Sequence, residues 1–159
     1  MTAANADSLQ MKQNHYAHLG IMAALSFLAM YLLMYAMVNT SDDVYMNINQ
    51  VYMAGLMTAP MVVLELVVMR AMYHNAKWSA LIIGASVAAG VLLFVCIRQQ
   101  TIVTDRQFLR SMIPHHSGAI LMCREALVQD AEIRKLCDGI ISGQQQEIDQ
   151  MNAILDRLR

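Results

Sequence analysis

Two uncharged apolar runs, Leu19 to Val38 and Trp78 to Ile97, constrain this chain more than anything else in it. Each is about 20 residues long, and at 1.5 Å rise per residue a helix of that length covers the roughly 30 Å hydrocarbon core of a bilayer. A third run, from Val51 to Tyr73, is interrupted by Pro60 and Glu65 and carries Arg70 near its end. In lipid every backbone polar group must be satisfied within the protein, so runs of this kind specify helices. The whole chain is 57% hydrophobic and 14% charged, too apolar for an ordinary soluble domain, and the excess belongs against lipid. The expected fold class is therefore all-α, with transmembrane helices at 19–38, 51–73 and 78–97. Residues 1–18 read as a weakly ordered polar tail, and 98–159 as a separate helical domain.

Several function classes fall away at once. A net charge of −1 with no basic cluster or stacking motif excludes nucleic acid as a partner. No serine or cysteine stands with a histidine and a carboxylate in a recognisable arrangement, and no glycine loop cradles phosphate, so the chain is not read as an enzyme. Three cysteines cannot all pair within one chain.

Orientation follows from the short connections. The loop Asn39 to Gln50 has no Lys or Arg, whereas Arg70 and Lys77 flank the next one and Lys12 lies in the tail. The positive-inside rule then puts the amino terminus in the cytoplasm and residues 98–159 outside, although Arg98, Arg106 and Arg110 pull the other way. Glu65 is the acidic residue within a membrane segment; such carboxylates are costly unless paired or functional. Met57, Glu65 and Met61 belong to a stripe that repeats every fourth residue. That stripe reads either as an intramembrane thioether path or as methionine gap-filling in helix packing.

Beyond the membrane, Thr104 or Asp105 caps a helix that contains Pro114, and Asp130 caps a second one running to the end with an apolar stripe. A turn near Asp130 makes the two antiparallel, so residues whose numbers sum to about 260 lie level. His116 then faces Gln144, His115 faces Gln145, and Cys123 faces Cys137. Met112 shares a helix face with both histidines, while Met122 and Cys123 follow one heptad after His115 and His116. Thioether, imidazole and thiol together form a soft ligand set that suits Cu(I). The candidate ligands are Met112, His115, His116, Met122, Cys123 and Met151, with Gln144, Gln145 and Glu147 placed to orient an imidazole. The plainer reading makes the His-His pair surface and packing residues, and Cys123 and Cys137 either a disulfide, a thiolate site or small buried hydrophobes.

The pattern Asp105, Phe108, Met112, Ile113, Pro114, His115, His116, Ala119, Met122, with Gln144, Gln145, Glu147, Ile148 and Met151 downstream, resembles the bacterial family of unknown function numbered three hundred and five. The likeness covers about Thr104 to Leu155, and Cys123 departs from it, standing where alanine is usual, as does Ile154 where an aromatic often sits. The resemblance implies a ferritin-like helical fold, secreted or periplasmic placement and, for some members, copper; together with the apolar runs, the expected location is a bacterial inner (plasma) membrane with residues 98–159 periplasmic or extracellular. Two helices alone bury little, so the hairpin is expected to complete a four-helix bundle by homo-oligomerising. The leading expectation is a membrane-anchored protein that binds Cu(I) for sequestration or for delivery to a copper-handling partner. A non-catalytic membrane scaffold is the alternative. A ferritin-like di-metal oxidoreductase is disfavoured, since no Glu precedes either histidine by three residues.

Overall fold

The computed structural model describes residues 3–158, with side chains from residue 15 onward. The side chain of Lys12, used above for orientation, lies outside the described residues. Among the described residues the chain is helical with no strand. Its helices are α1 (Ala3–Leu33), α2 (Ile48–Val68), α3 (Ala76–Gln99), α4 (Asp105–Glu125) and α5 (Ala131–Arg157). Two units form: one takes in residues up to 32 and 51–101, the other residues 33–50 and 102–159.

In the first unit, the stretch expected as a tail is already helical from Ala3. Residues 3–18 contain neither proline nor glycine and include four alanines and two glutamines, so extending the helix outward costs little. The segments long and apolar enough to cross a membrane are His15–Met37, Ile48–Val68 and Ala76–Gln99. Helix α2 stops five residues short of Tyr73, because a turn closed by Met69 N–H to Glu65 O and Met72 N–H to Met69 O ends it. Asn75 then caps α3, accepting from the Trp78 N–H at 3.2 Å. This supplies one of the bonds a helix start lacks.

Leu19, Val62, Leu66 and Tyr73 form the buried core of this unit, with Tyr16, Met22 and Ile83 packed around them. Gly55 allows a close approach: a Cβ there would sit 2.8 Å from Leu93 Cδ1. Leu81, Val87, Val91, Leu92 and Phe94 of α3 face outward, as the surface of a helix covered by lipid should. Glu65 is paired, accepting from the Tyr73 hydroxyl at 3.4 Å. Of the methionines repeating every fourth residue along α2 and the turn after it, Met53, Met57 and Met69 are exposed. Met61 is half-buried.

The second unit is the α4–α5 hairpin and the segment 33–50. The hairpin closes through Ala126 to Asp130, whose carboxylate accepts from the Glu132 and Ile133 N–H groups at 2.9 and 3.0 Å. Leu109, Ile113, Ile120, Ile148, Met151 and Leu155 make its core. Pro114 sits inside α4 without breaking it. Lacking an N–H, it leaves the Arg110 carbonyl without its helical donor, and Asn47 supplies one, donating from Nδ2 at 3.4 Å.

That bond belongs to a larger inlay. Helix α1 ends at Leu33 and the expected last turn of the first membrane helix is a 3-10 turn, Met34–Met37; the expected loop 39–50 carries a second, Ser41–Asp43, and both pack on α4. Asn39 N–H donates to Ser117 Oγ at 2.9 Å, and Ser117 donates to Asp43 Oδ2 at 2.6 Å. Thr40 Oγ1 adds a donor to the same oxygen at 2.9 Å. Further along, Tyr45 donates to Asn152 Oδ1 at 2.9 Å and Ile48 N–H to Gln107 Oε1 at 3.0 Å. Gly118 makes the approach feasible, because a Cβ at that position would lie 3.2 Å from the Met37 carbonyl oxygen. The hairpin therefore gains part of its cover from this chain's own connecting segment.

Candidate metal centre

The sequence proposed one layer holding Met112, His115, His116, Gln144, Gln145 and Met151, and the structure distributes those residues over different environments. Met151 is buried in the hairpin core and Met112 packs against it. Each thioether there contributes to packing, where methionine fills irregular space. His116 is buried, and both its ring nitrogens are engaged. Nδ1 lies 2.9 Å from the Met112 carbonyl oxygen and Nε2 lies 2.6 Å from Glu147 Oε2. Both ring nitrogens thus face oxygen atoms of the protein itself. Glu147, expected to orient an imidazole, does so directly.

His115 is exposed, with its ring centroid 6.0 Å from that of His116 and the planes at 64°. The hundred-degree step between neighbouring helix positions splays the pair, as the spacing predicts. Gln145 donates to Asp149 Oδ1 at 3.0 Å within α5, and Gln144 is half-buried on that helix. Met122 is exposed. Among the described residues no three His, Cys, Asp or Glu side chains converge in a way that would enclose a metal ion.

Cys123 on α4 and Cys137 on α5 are both half-buried and free. Hydrogen bonding to the Cys137 thiol, then burial and that thiol's charge, pushes the Cys123 thiol up to about 11. Thiol hydrogen-bonded to thiol is favoured in its neutral form, hence the direction. Two sulfurs on facing helices are enough for a linear or, with a third donor, trigonal Cu(I) site, and thiolates are the softest ligands a protein offers. Met122 immediately precedes Cys123 on the exposed side of α4. Cys96 belongs to α3 and takes no part.

The polar inlay on α4 escaped sequence reasoning. Asp43, Asn47 and Ser117 are buried, but a polar loop gives no local sign of the helix it will cover. The nearest hint was Pro114, which announces an orphaned carbonyl without naming its donor.

Residues 97–155 match the model of a domain of unknown function (DUF305), a stretch that takes in α4, the turn and nearly all of α5. No solved structure matches the chain significantly. An uncharacterised protein, L153 of Acanthamoeba polyphaga mimivirus, is 34% identical over 139 residues, covering 86% of this chain and 90% of that protein. The similarity thus runs through the apolar segments as well as the hairpin, and the chain belongs to the same family as the mimivirus protein, with a DUF305 domain at its carboxy-terminal end.

Proposed function

We propose that this chain is a membrane-anchored Cu(I)-binding protein whose metal site is the Cys123–Cys137 thiol pair, with Met122 as an additional thioether donor, and that it sequesters copper or passes it to a partner. The observation that carries this reading is the presence of two free, half-buried thiols on the paired helices α4 and α5, with the Cys123 thiol raised by its Cys137 neighbour. Copper would be held between the two sulfurs, and its chemistry there is that of a cargo ion in a soft cradle. Binding must displace thiol protons, so affinity rises with pH. His116 and Glu147 act beneath this site as a tie between α4 and α5, fixing the helix spacing that brings the sulfurs together.

The membrane arrangement supports the same picture. Three spans place the α1–α2 connection and the carboxy-terminal hairpin on one side, and the inlay of Asn39, Asp43 and Asn47 on α4 requires that they share a side. By the distribution of Lys and Arg that side is outside the cytoplasm, in a periplasm or extracellular space. A scaffold that only assembles other proteins is the second reading. Its support is the set of exposed apolar residues Met122, Leu127, Ile133 and Leu136 at the turn end of the hairpin.

The test is a Cu(I) titration of the full-length chain in detergent micelles against a chromophoric chelator under reducing conditions. The wild type should take one Cu(I). Cys123→Ser, Cys137→Ser should weaken binding at least 100-fold, while His115→Ala should change it by less than threefold. Loss confined to a histidine variant would return the site to the His-His motif. Absence of competition in every form would leave the scaffold.

A further inference from the structure

Where α2 ends and α3 begins, the first unit carries a groove that belongs to it alone. The groove is open on one side, has a volume of about 890 Å³ and runs along Leu66, Val67, Ala80 and Ile83 to Arg70 and His74. Sites for small molecules span roughly 300–1,000 Å³. Its aliphatic walls belong mostly to the apolar segments, which stop at Val68 and resume at Ala76. Arg70 and His74 stand on the turn between them. That turn is braced from α1: the Tyr16 hydroxyl donates to the Asn75 carbonyl oxygen at 3.1 Å and lies 3.1 Å from Ser79 Oγ, and the Tyr16 and Tyr73 rings pack with centroids 5.3 Å apart.

The charge at the groove is of one sign. No acidic side chain lines it, and Glu65, further back on α2, is engaged with the Tyr73 hydroxyl. Arg70 is exposed and makes no ion pair among the described residues. His74 Nδ1 faces the Met72 carbonyl oxygen at 3.1 Å; a carbonyl only accepts, so Nδ1 carries the proton and Nε2 stays outside that bond. Ala76 and Lys77 open α3, where backbone N–H groups lack helical acceptors, and Lys77 adds a second cation beside the turn.

We infer that this groove binds an anionic phospholipid, with its phosphate on Arg70 and His74 and an acyl chain along Leu66, Val67 and Ile83. A guanidinium meets a phosphate through two parallel N–H bonds. By the distribution of Lys and Arg this turn is cytoplasmic, the side on which basic pockets between membrane helices hold anionic headgroups. A zwitterionic lipid brings its own ammonium to the cationic rim and loses the advantage. The inference rests on the membrane placement proposed above and is independent of copper.

Full-length protein in detergent micelles is titrated with phosphatidylglycerol and, separately, with phosphatidylcholine of the same acyl chains, and bound lipid is counted by native mass spectrometry. One phosphatidylglycerol should be held about tenfold or more tightly than phosphatidylcholine. Arg70→Gln should bring the two lipids within about threefold of each other, while Arg98→Gln, at the other end of α3, should leave the preference unchanged. Ala80→Phe fills the groove with its cations intact and should abolish tight binding. Equal affinity of the wild type for both lipids would overturn the site. So would a preference that survives Ala80→Phe, since surface charge alone would then account for it, or displacement of the lipid by an equal concentration of inorganic phosphate, which would mean a free-anion site. Washing membranes with alkaline carbonate separates this from anchoring. Protein retained in the pellet with equal lipid affinities loses the lipid site and keeps the anchor; protein released to the supernatant loses both.

Discussion

The Nε2 of His116 lies 2.6 Å from Oε2 of Glu147, a bond from the middle of α4 to α5 whose two ends sit in different surroundings. His116 is 10% exposed at its side chain and Glu147 57%. Truncating the buried partner removes packing and strands the Met112 carbonyl bond as well, so His116→Ala should cost about 2 to 3 kcal/mol of hairpin stability. Glu147→Ala acts on a solvent-screened carboxylate and should cost less than about 1 kcal/mol. Amide exchange in α4 and α5 checks the ranking; equal costs would mean that the pair is buried from both sides.

The Asp43 carboxylate on Ser117 gives a second prediction. Ser117 is fully buried, and its hydroxyl both accepts from Asn39 N–H and donates to Asp43. Ser117→Ala leaves the half-buried Asn39 N–H and the buried Asp43 carboxylate without that partner and should cost about 1 to 3 kcal/mol. The effect should be local, so limited proteolysis between residues 38 and 47 should accelerate about tenfold or more while cleavage near the α4–α5 turn stays unchanged.

What was legible in the sequence divides along the range of the interactions involved. The three apolar helices could be read because span length is a property of consecutive residues, and the hairpin because its stripe repeats at the helical period. The Asp130 cap is equally local. Register was read to within one turn. Counting placed Gln144 opposite His116, yet Glu147, three positions further on, makes the bond, because a glutamate side chain reaches about 4.5 Å along the axis. The surroundings of His116 were not legible: softness of a residue type is visible in a sequence, but the oxygen atoms facing its two ring nitrogens are not.

Cys123 makes stability depend on pH in the alkaline range. With its thiol pushed up to about 11 from an ordinary value near 9.0, the unfolded chain loses this proton first as pH rises. The folded state then binds more protons than the unfolded state, and stability falls with pH between those two values while staying complete below the lower one. Melting temperatures measured from pH 8 to 11.5 should drop more steeply for the wild type than for Cys123→Ser. Alkylation of Cys123 at pH 8 should also be slower than in Cys137→Ser, where the hydrogen bond is gone.

Ile102 has φ at 61° and is 73% exposed. A β-branched residue in the left-handed region brings its Cβ against the following carbonyl, at about 1 to 2 kcal/mol. Part of that is returned if glycine replaces it, against the extra freedom glycine gives the unfolded chain. Ile102→Gly should therefore raise stability by roughly 0.5 to 1 kcal/mol, read as a melting temperature a few degrees higher, whereas Thr101→Gly at the neighbouring position should lower it.

Membrane sidedness gives the last test, because the inlay on α4 fixes a parity. Asn39, Asp43 and Asn47 bond to α4 residues or their backbone, so the α1–α2 connection and the hairpin must share a compartment, which holds when α2 and α3 both cross the membrane and fails when one of them does not. In a background with Cys96, Cys123 and Cys137 replaced by serine, Ser41→Cys and Glu125→Cys should react with a membrane-impermeant maleimide from the same side of intact cells or vesicles. His74→Cys, in the turn between α2 and α3, should react only after permeabilisation. Labelling of Ser41→Cys and Glu125→Cys from opposite sides would mean that one apolar helix does not cross, and would remove the extracytoplasmic placement on which an oxidising environment for the two cysteines depends.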